Sequence, residues 1–151
     1  MDAEVDQSGR IEEVRPTVLA VSNDQHRSIL IPAAVKREVF GRLRRRGESS
    51  KRATVRIFAA ALYLLLMPVI DPDSWIVVDL EYPGYETLIK SMLLRWLRRI
   101  RPGTRTDQIR FRRIGKASPA HQIAMDTYQG KLDPDKVVTV RQLMTLFEEK
   151  K

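Results

Sequence analysis

Apolar positions in this chain come in short β-branched runs bounded by turn residues, and elsewhere at helical spacing. Thr17-Val-Leu-Ala-Val-Ser22 is one such run and Ser28-Ile-Leu-Ile-Pro32 another. Between them Asn23-Asp24-Gln25-His26 supplies turn chemistry, which predicts a hairpin. Val35, Val39, Phe40 and Leu43 then recur at helical spacing after Pro32, with Gly47 as the stop. Residues 53–67 are apolar nearly all round and rich in strong helix formers, so a buried helix ended by Pro68 is favoured over a strand. Residues 75–82 read as a strand broken by Pro83-Gly84. Tyr85, Leu88, Ile89, Met92, Leu93, Trp96, Leu97 and Ile100 form one continuous helical stripe, with Lys90, Arg95, Arg98 and Arg99 on the other side.

Residues 109–114 alternate apolar and basic for most of their length, as a strand with one wet face does. Ser118-Pro119 opens a helix that reaches Tyr128 or Gln129, with Gly130 as terminator. After the Asp133-Pro134-Asp135 turn, Val137-Val138 is a short extended piece, and Thr139 caps a last helix carrying Leu143, Met144 and Phe147. The strand–helix–strand unit over residues 75–114 calls for parallel strands, whereas the opening hairpin is antiparallel. The expected class is therefore α/β with a mixed sheet. Residues 1–15, acidic and polar, read as a disordered tail, leaving 16–151 as the domain.

Composition narrows this further. A length of 151 residues suits one domain, and 43% hydrophobic with 30% charged residues excludes low-complexity and wholly disordered readings. The absence of cysteine excludes disulfide scaffolds, thiolate zinc sites and cysteine nucleophiles. Residues 57–70 carry no charge, but a bilayer span needs about 20 residues, so they read as core; with no basic-then-apolar leader at the start, a cytoplasmic protein is expected. The net charge of +8 is concentrated in residues 36–52 and in residues 90–116, where the only acid is Asp107. Such density favours a polyanionic partner, DNA or RNA, over a merely solvated face, because Arg outnumbers Lys in both stretches and binds phosphate bidentately. The residues expected to track phosphates are Arg95, Arg98, Arg99, Arg110, Arg112, Arg113 and Lys116.

Candidate chemistry gathers where the strand over residues 75–82 ends. Asp79 and Glu81 are two apart, so both leave one face, and a carboxylate entering so apolar a strand is costly without a partner. Ligand crevices in α/β sheets form beyond the carboxyl ends of strands. Two convergent acids beside a phosphate-binding surface suit Mg²⁺; the competing reading is an ion pair with neighbouring arginines. His121 falls in the first turn of its helix, where the dipole favours a neutral imidazole fit for a ligand or base, with backbone bonding as the plainer role. Asp126 in the same helix and Asp24 after the first strand are further candidates, whereas Asp71 and Asp73 read as turn formers and His26 as solvated. Gly115-Lys116-Ala117-Ser118 lacks the glycine-rich lead of a phosphate loop, though Lys116 and Ser118 at a helix start could hold one phosphate.

This layout resembles the ribonuclease-H-like superfamily of metal-dependent nucleases: an opening hairpin with a nearby acid (Asp24), a later strand ending in an acid (Asp79), and a C-terminal helix bearing His121 or Asp126. The resemblance spans roughly residues 17–130. It implies that Asp24, Asp79 and His121 hold divalent metal, with Asp79, Glu81 and His121 serving cleavage of phosphodiester bonds. The family pattern places its first acid within the opening strand and adds a third antiparallel strand; here Asp24 follows its strand, and helices stand where the third strand would be. The alternative functions are a basic nucleic-acid-binding module without catalysis and a protein-interaction domain.

Overall fold

Ala3 and Val5 alternate with Asp2, Glu4 and Asp6, and that period of two folds as a strand with one apolar face. The computed structural model describes residues 2–148 and places this strand, β1 (Asp2–Ser8), in the interior of the sheet. The expected disordered tail is corrected accordingly. Its acidic composition masks the alternation, because the acids share one face while Ala3 and Val5, at 4% and 1% exposed, enter the core from the other. Gly9 turns the chain out of β1 with φ of +78°; a Cβ there would lie 2.3 Å from the Pro16 carbonyl oxygen, so the turn admits only glycine.

The expected hairpin follows as β2 (Thr17–Ser22) and β3 (His26–Ile31). Because β1 pairs antiparallel with β2, the chain opens with three antiparallel strands. Next come α1 (Ala33–Arg45), α2 (Ser50–Leu66), β4 (Trp75–Asp79), α3 (Glu86–Ile100), β5 (Ile109–Arg112), α4 (Pro119–Tyr128), β6 (Lys136–Val137) and α5 (Val140–Glu148). The strands β4 and β5 are parallel to each other, as the crossover requires, and β4 is parallel to β1. The sheet order is β5-β4-β1-β2-β3-β6. The domain is α/β with a mixed six-stranded sheet.

Residues 53–66 are helical, as expected, with Met67 as the C-cap: Ser49 accepts from the Arg52 amide to cap the start of α2, and the helix is buried on most sides. Among the described residues no helix is long and apolar enough to cross a membrane. Thr139 likewise caps α5, exchanging bonds with Gln142.

Helices fall unequally on the two faces. Val5, Leu19, Val21, Ile29, Ile31, Ile76 and Val78 meet α1, α2, α3 and α5 in the main core. On the opposite face Val18, Ala20 and Leu30 meet only α4, through Ala124, Ile123 and Tyr128. α4 packs over β1, β2 and β3. The same face of β4 and β5 becomes the floor of a cleft.

Candidate metal centre and its cleft

The register builds the centre. Val5 of β1 lies opposite Val78 of the parallel β4, so the next residues, Asp6 and Asp79, stand side by side on the face that carries α4. Both lie toward the carboxyl ends of their strands, where α/β sheets form ligand sites. Glu81, two residues past Asp79 and beyond the end of β4, completes the group: one oxygen from each of the three lies within 4.8 Å of the others.

Each acid is held by a different element. Asp6, 5% exposed, accepts the Gln7 amide at Oδ1 (2.8 Å) and His121 Nδ1–H at Oδ2 (2.7 Å). An ionised Asp6 only accepts, so in that state the proton of this bond sits on Nδ1 of His121. Asp79 Oδ1 accepts the backbone N–H of Ile114 (2.8 Å), tying down the segment after β5. Glu81 Oε2 accepts from Arg10 Nη1 (3.0 Å), while Arg10 Nη2 donates to the Glu81 carbonyl (3.0 Å). The loop bearing Arg10 is anchored by buried Tyr82, whose hydroxyl accepts from the Ile11 amide (3.2 Å) and donates to Glu12 (3.2 Å). Lys36 holds the same loop from the helical side, donating to the carbonyls of Arg10 (3.0 Å) and Glu13 (2.8 Å) and to Thr17 Oγ1 (3.0 Å).

Burial pushes the Asp6 carboxyl up, the Gln7 and His121 hydrogen bonds pull it back, and the Asp79 charge adds to the rise. Burial likewise pushes Glu81 up to about 8, reinforced by a hydrogen bond and the charge of Asp79 and opposed by Arg10. The proton held by Glu81 relieves the repulsion that three carboxylates would otherwise set against the Arg10 guanidinium. This donor set fits a hard divalent cation: it is all oxygen, and ligands at about 2.0–2.6 Å from one ion lie within about 5 Å of each other, a limit these three meet.

On the same face of the sheet, running from the amino ends of β1 and β4 up to Arg112, the cross-strand neighbour of Asp79, lies a cleft of about 670 Å³; its lining includes Asp2 and Glu4 of β1, Trp75 and Val77 of β4, Arg110 and Arg112 of β5, and Pro119 of α4, and does not include the three acids. Arg112 pairs with Asp79 across the strands, so the basic row of β5 runs beside the acid-tipped row of β4. Ser118 precedes α4 as expected, but its hydroxyl does not cap the helix; it donates to Glu4 Oε1 (2.7 Å) and fixes α4 to β1.

The structure sorts the sequence candidates. Asp79 and Glu81 come together, and His121 reaches them through Asp6. Asp24 does not: it is exposed in the β2–β3 turn, at the end of the sheet where β1 begins, since Ser22 pairs with Glu4 and the chain continues away from Asp6. Its expected place is filled by Asp6, because the opening strand is β1 and not β2. Asp126 is bonded by Gln122 (2.8 Å) and lies outside the acidic group. Arg110 and Arg112 line the cleft, whereas Arg113 and Lys116 are exposed after β5 and do not line it. Arg95, Arg98 and Arg99 sit on α3, in the layer across the sheet; Arg98 is spent on the Thr104 carbonyl (2.9 Å) and Thr106 Oγ1 (3.3 Å). Sequence reasoning missed Asp6 and Arg10, although the alternation from Asp2 to Asp6 carries the signal for the first. No family model, curated protein or solved structure matches the chain.

Proposed function

We propose that this chain is a divalent-metal-dependent phosphodiester hydrolase acting on nucleic acid, with a ribonuclease-H-like layout. The observation that carries the reading is the meeting of Asp6, Asp79 and Glu81 within 4.8 Å beside an arginine-lined cleft. The layout is supported by three antiparallel opening strands, an acid within the first of them, an acid ending a later strand, and a helix near the C-terminus that reaches the first acid through His121.

Asp6, Asp79 and Glu81 would hold Mg²⁺ or Mn²⁺. Such an ion, when bound, activates water and neutralises charge on phosphoryl oxygens. The protein's own groups orient and hold. Gln7 and His121 fix the Asp6 carboxylate, and Arg10 restrains Glu81. Arg110 and Arg112 supply charge-assisted hydrogen bonds to phosphates along the cleft.

The test is a cleavage and binding assay on single- and double-stranded DNA and RNA, with Mg²⁺ or Mn²⁺ and with EDTA. Asp79→Ala is expected to abolish cleavage and leave binding in place. Cleavage that survives in this variant, or in EDTA, contradicts the reading. Binding that falls steeply with salt and ignores Mg²⁺, without cleavage, would identify a basic binding module instead.

A further inference from the structure

Trp75 opens β4 and is 41% exposed, while the other tryptophan, Trp96, is 1% exposed in the core. Strand alternation puts the Trp75 indole on the same face as Val77 and Asp79, and it lines the cleft. Two guanidinium groups attend it, Arg105 with its Cζ 5.7 Å from the ring centroid and Arg110 at 5.8 Å. Arg105 is anchored to Asp107 (3.2 Å) and the Pro72 carbonyl (3.3 Å). The Arg110 side chain makes no hydrogen bond or ion pair to another described residue, so it can turn from the ring to a phosphate at little cost.

Once Arg110 turns off the ring, the partly exposed indole offers a face on which an unstacked base can rest, with the cation serving its backbone. We propose that the cleft takes an unpaired nucleic-acid strand, one base of which stacks on Trp75 while Arg110 and Arg112 hold the phosphates leading to the acidic centre. The proposal rests on the hydrolase reading and names its substrate class. A paired base keeps both faces inside the duplex stack and offers none to Trp75. Four residues of strand separate Trp75 from Asp79, about 13 Å, so the stacked base lies within about four nucleotides of the centre even at the stacked rise of about 3.4 Å. Charge sets how the strand lies. Asp2 and Glu4 border the cleft on the β1 side and repel phosphates, and the arginines border it on the β5 side and draw them.

The full chain in EDTA is titrated with single-stranded DNA, single-stranded RNA and a blunt two-strand duplex of matched length, read by tryptophan fluorescence and by anisotropy. Single strands are expected to quench Trp75 emission, and the stronger of the DNA and RNA arms identifies the strand type. Trp75→Leu, which keeps an apolar side chain without a ring face, should weaken single-strand binding by between about fivefold and a hundredfold. Trp75→Phe should retain most of it, and duplex affinity should stay the same throughout. Equal single-strand affinity in wild type and a folded Trp75→Leu variant overturns the proposal, as does equal weakening toward duplex or no single-strand binding by the wild type. Cleavage with Mn²⁺, followed in parallel, separates the two claims. Cleavage with Trp75-independent binding removes the stacking site alone, and Trp75-dependent binding with no cleavage removes the hydrolase alone.

Discussion

Lys36 is 3% exposed, and its three ammonium protons match three oxygens: the carbonyls of Arg10 and Glu13 and the hydroxyl of Thr17. Burial pulls its pKa down to about 8, so at neutral pH it is a charged staple inside the fold. What it staples is the loop that delivers Arg10 to Glu81. Lys36→Met keeps the stem's bulk and strips the carbonyls of their donor. The expected cost is about 2 kcal/mol of stability, read as a lower urea midpoint with an unchanged slope. A midpoint equal to the wild type would remove Lys36 from the supports of the site.

At the scale of elements, α3 and α4 are legible in sequence because their apolar stripes and caps are local. The stripe from Tyr85 to Ile100 becomes α3 over Glu86–Ile100, and Ser118-Pro119 opens α4 as expected. β1 is legible only as alternation, and three acids in seven residues hide it, since each acid suggests solvent when read alone. Its position between β4 and β2 depends on pairing with residues about 70 positions away, which no local pattern encodes. The site depends on the element: without β1 the first acid of the layout falls after β2, at Asp24, and with it the acid falls within β1, at Asp6. The same placement makes β1 indispensable. A chain starting at residue 9 loses an interior strand paired on both sides and should show no cooperative thermal transition, whereas loss of a loose tail would leave the transition unchanged. Circular dichroism on heating distinguishes the two.

At the scale of the molecule, among the described residues four α-helices cover one face of the sheet and one covers the other, which leaves β4 and β5 as an open floor ending in carboxylates. Those carboxylates make stability depend on pH and on metal together. Glu81 rises from 4.5 to about 8 on folding, so the native state holds the extra proton and its contribution is full below about 4.5 and lost as pH rises to about 8. Lys36 acts in the opposite sense above that range: lowered from 10.5 to about 8, it lets stability recover as pH rises further. Metal-free protein is therefore expected to have its lowest melting temperature near pH 8, and the gain from added Mn²⁺ should grow between pH 5 and 8 as the proton on Glu81 gives way to the cation. The most direct measurement is calorimetric titration of Mn²⁺ into metal-free wild type and Asp6→Asn at pH 7.5. Saturable binding by the wild type with release of protons is expected, with affinity at least tenfold weaker in Asp6→Asn. Absence of binding by the wild type, or equal binding by a folded Asp6→Asn variant, would contradict it.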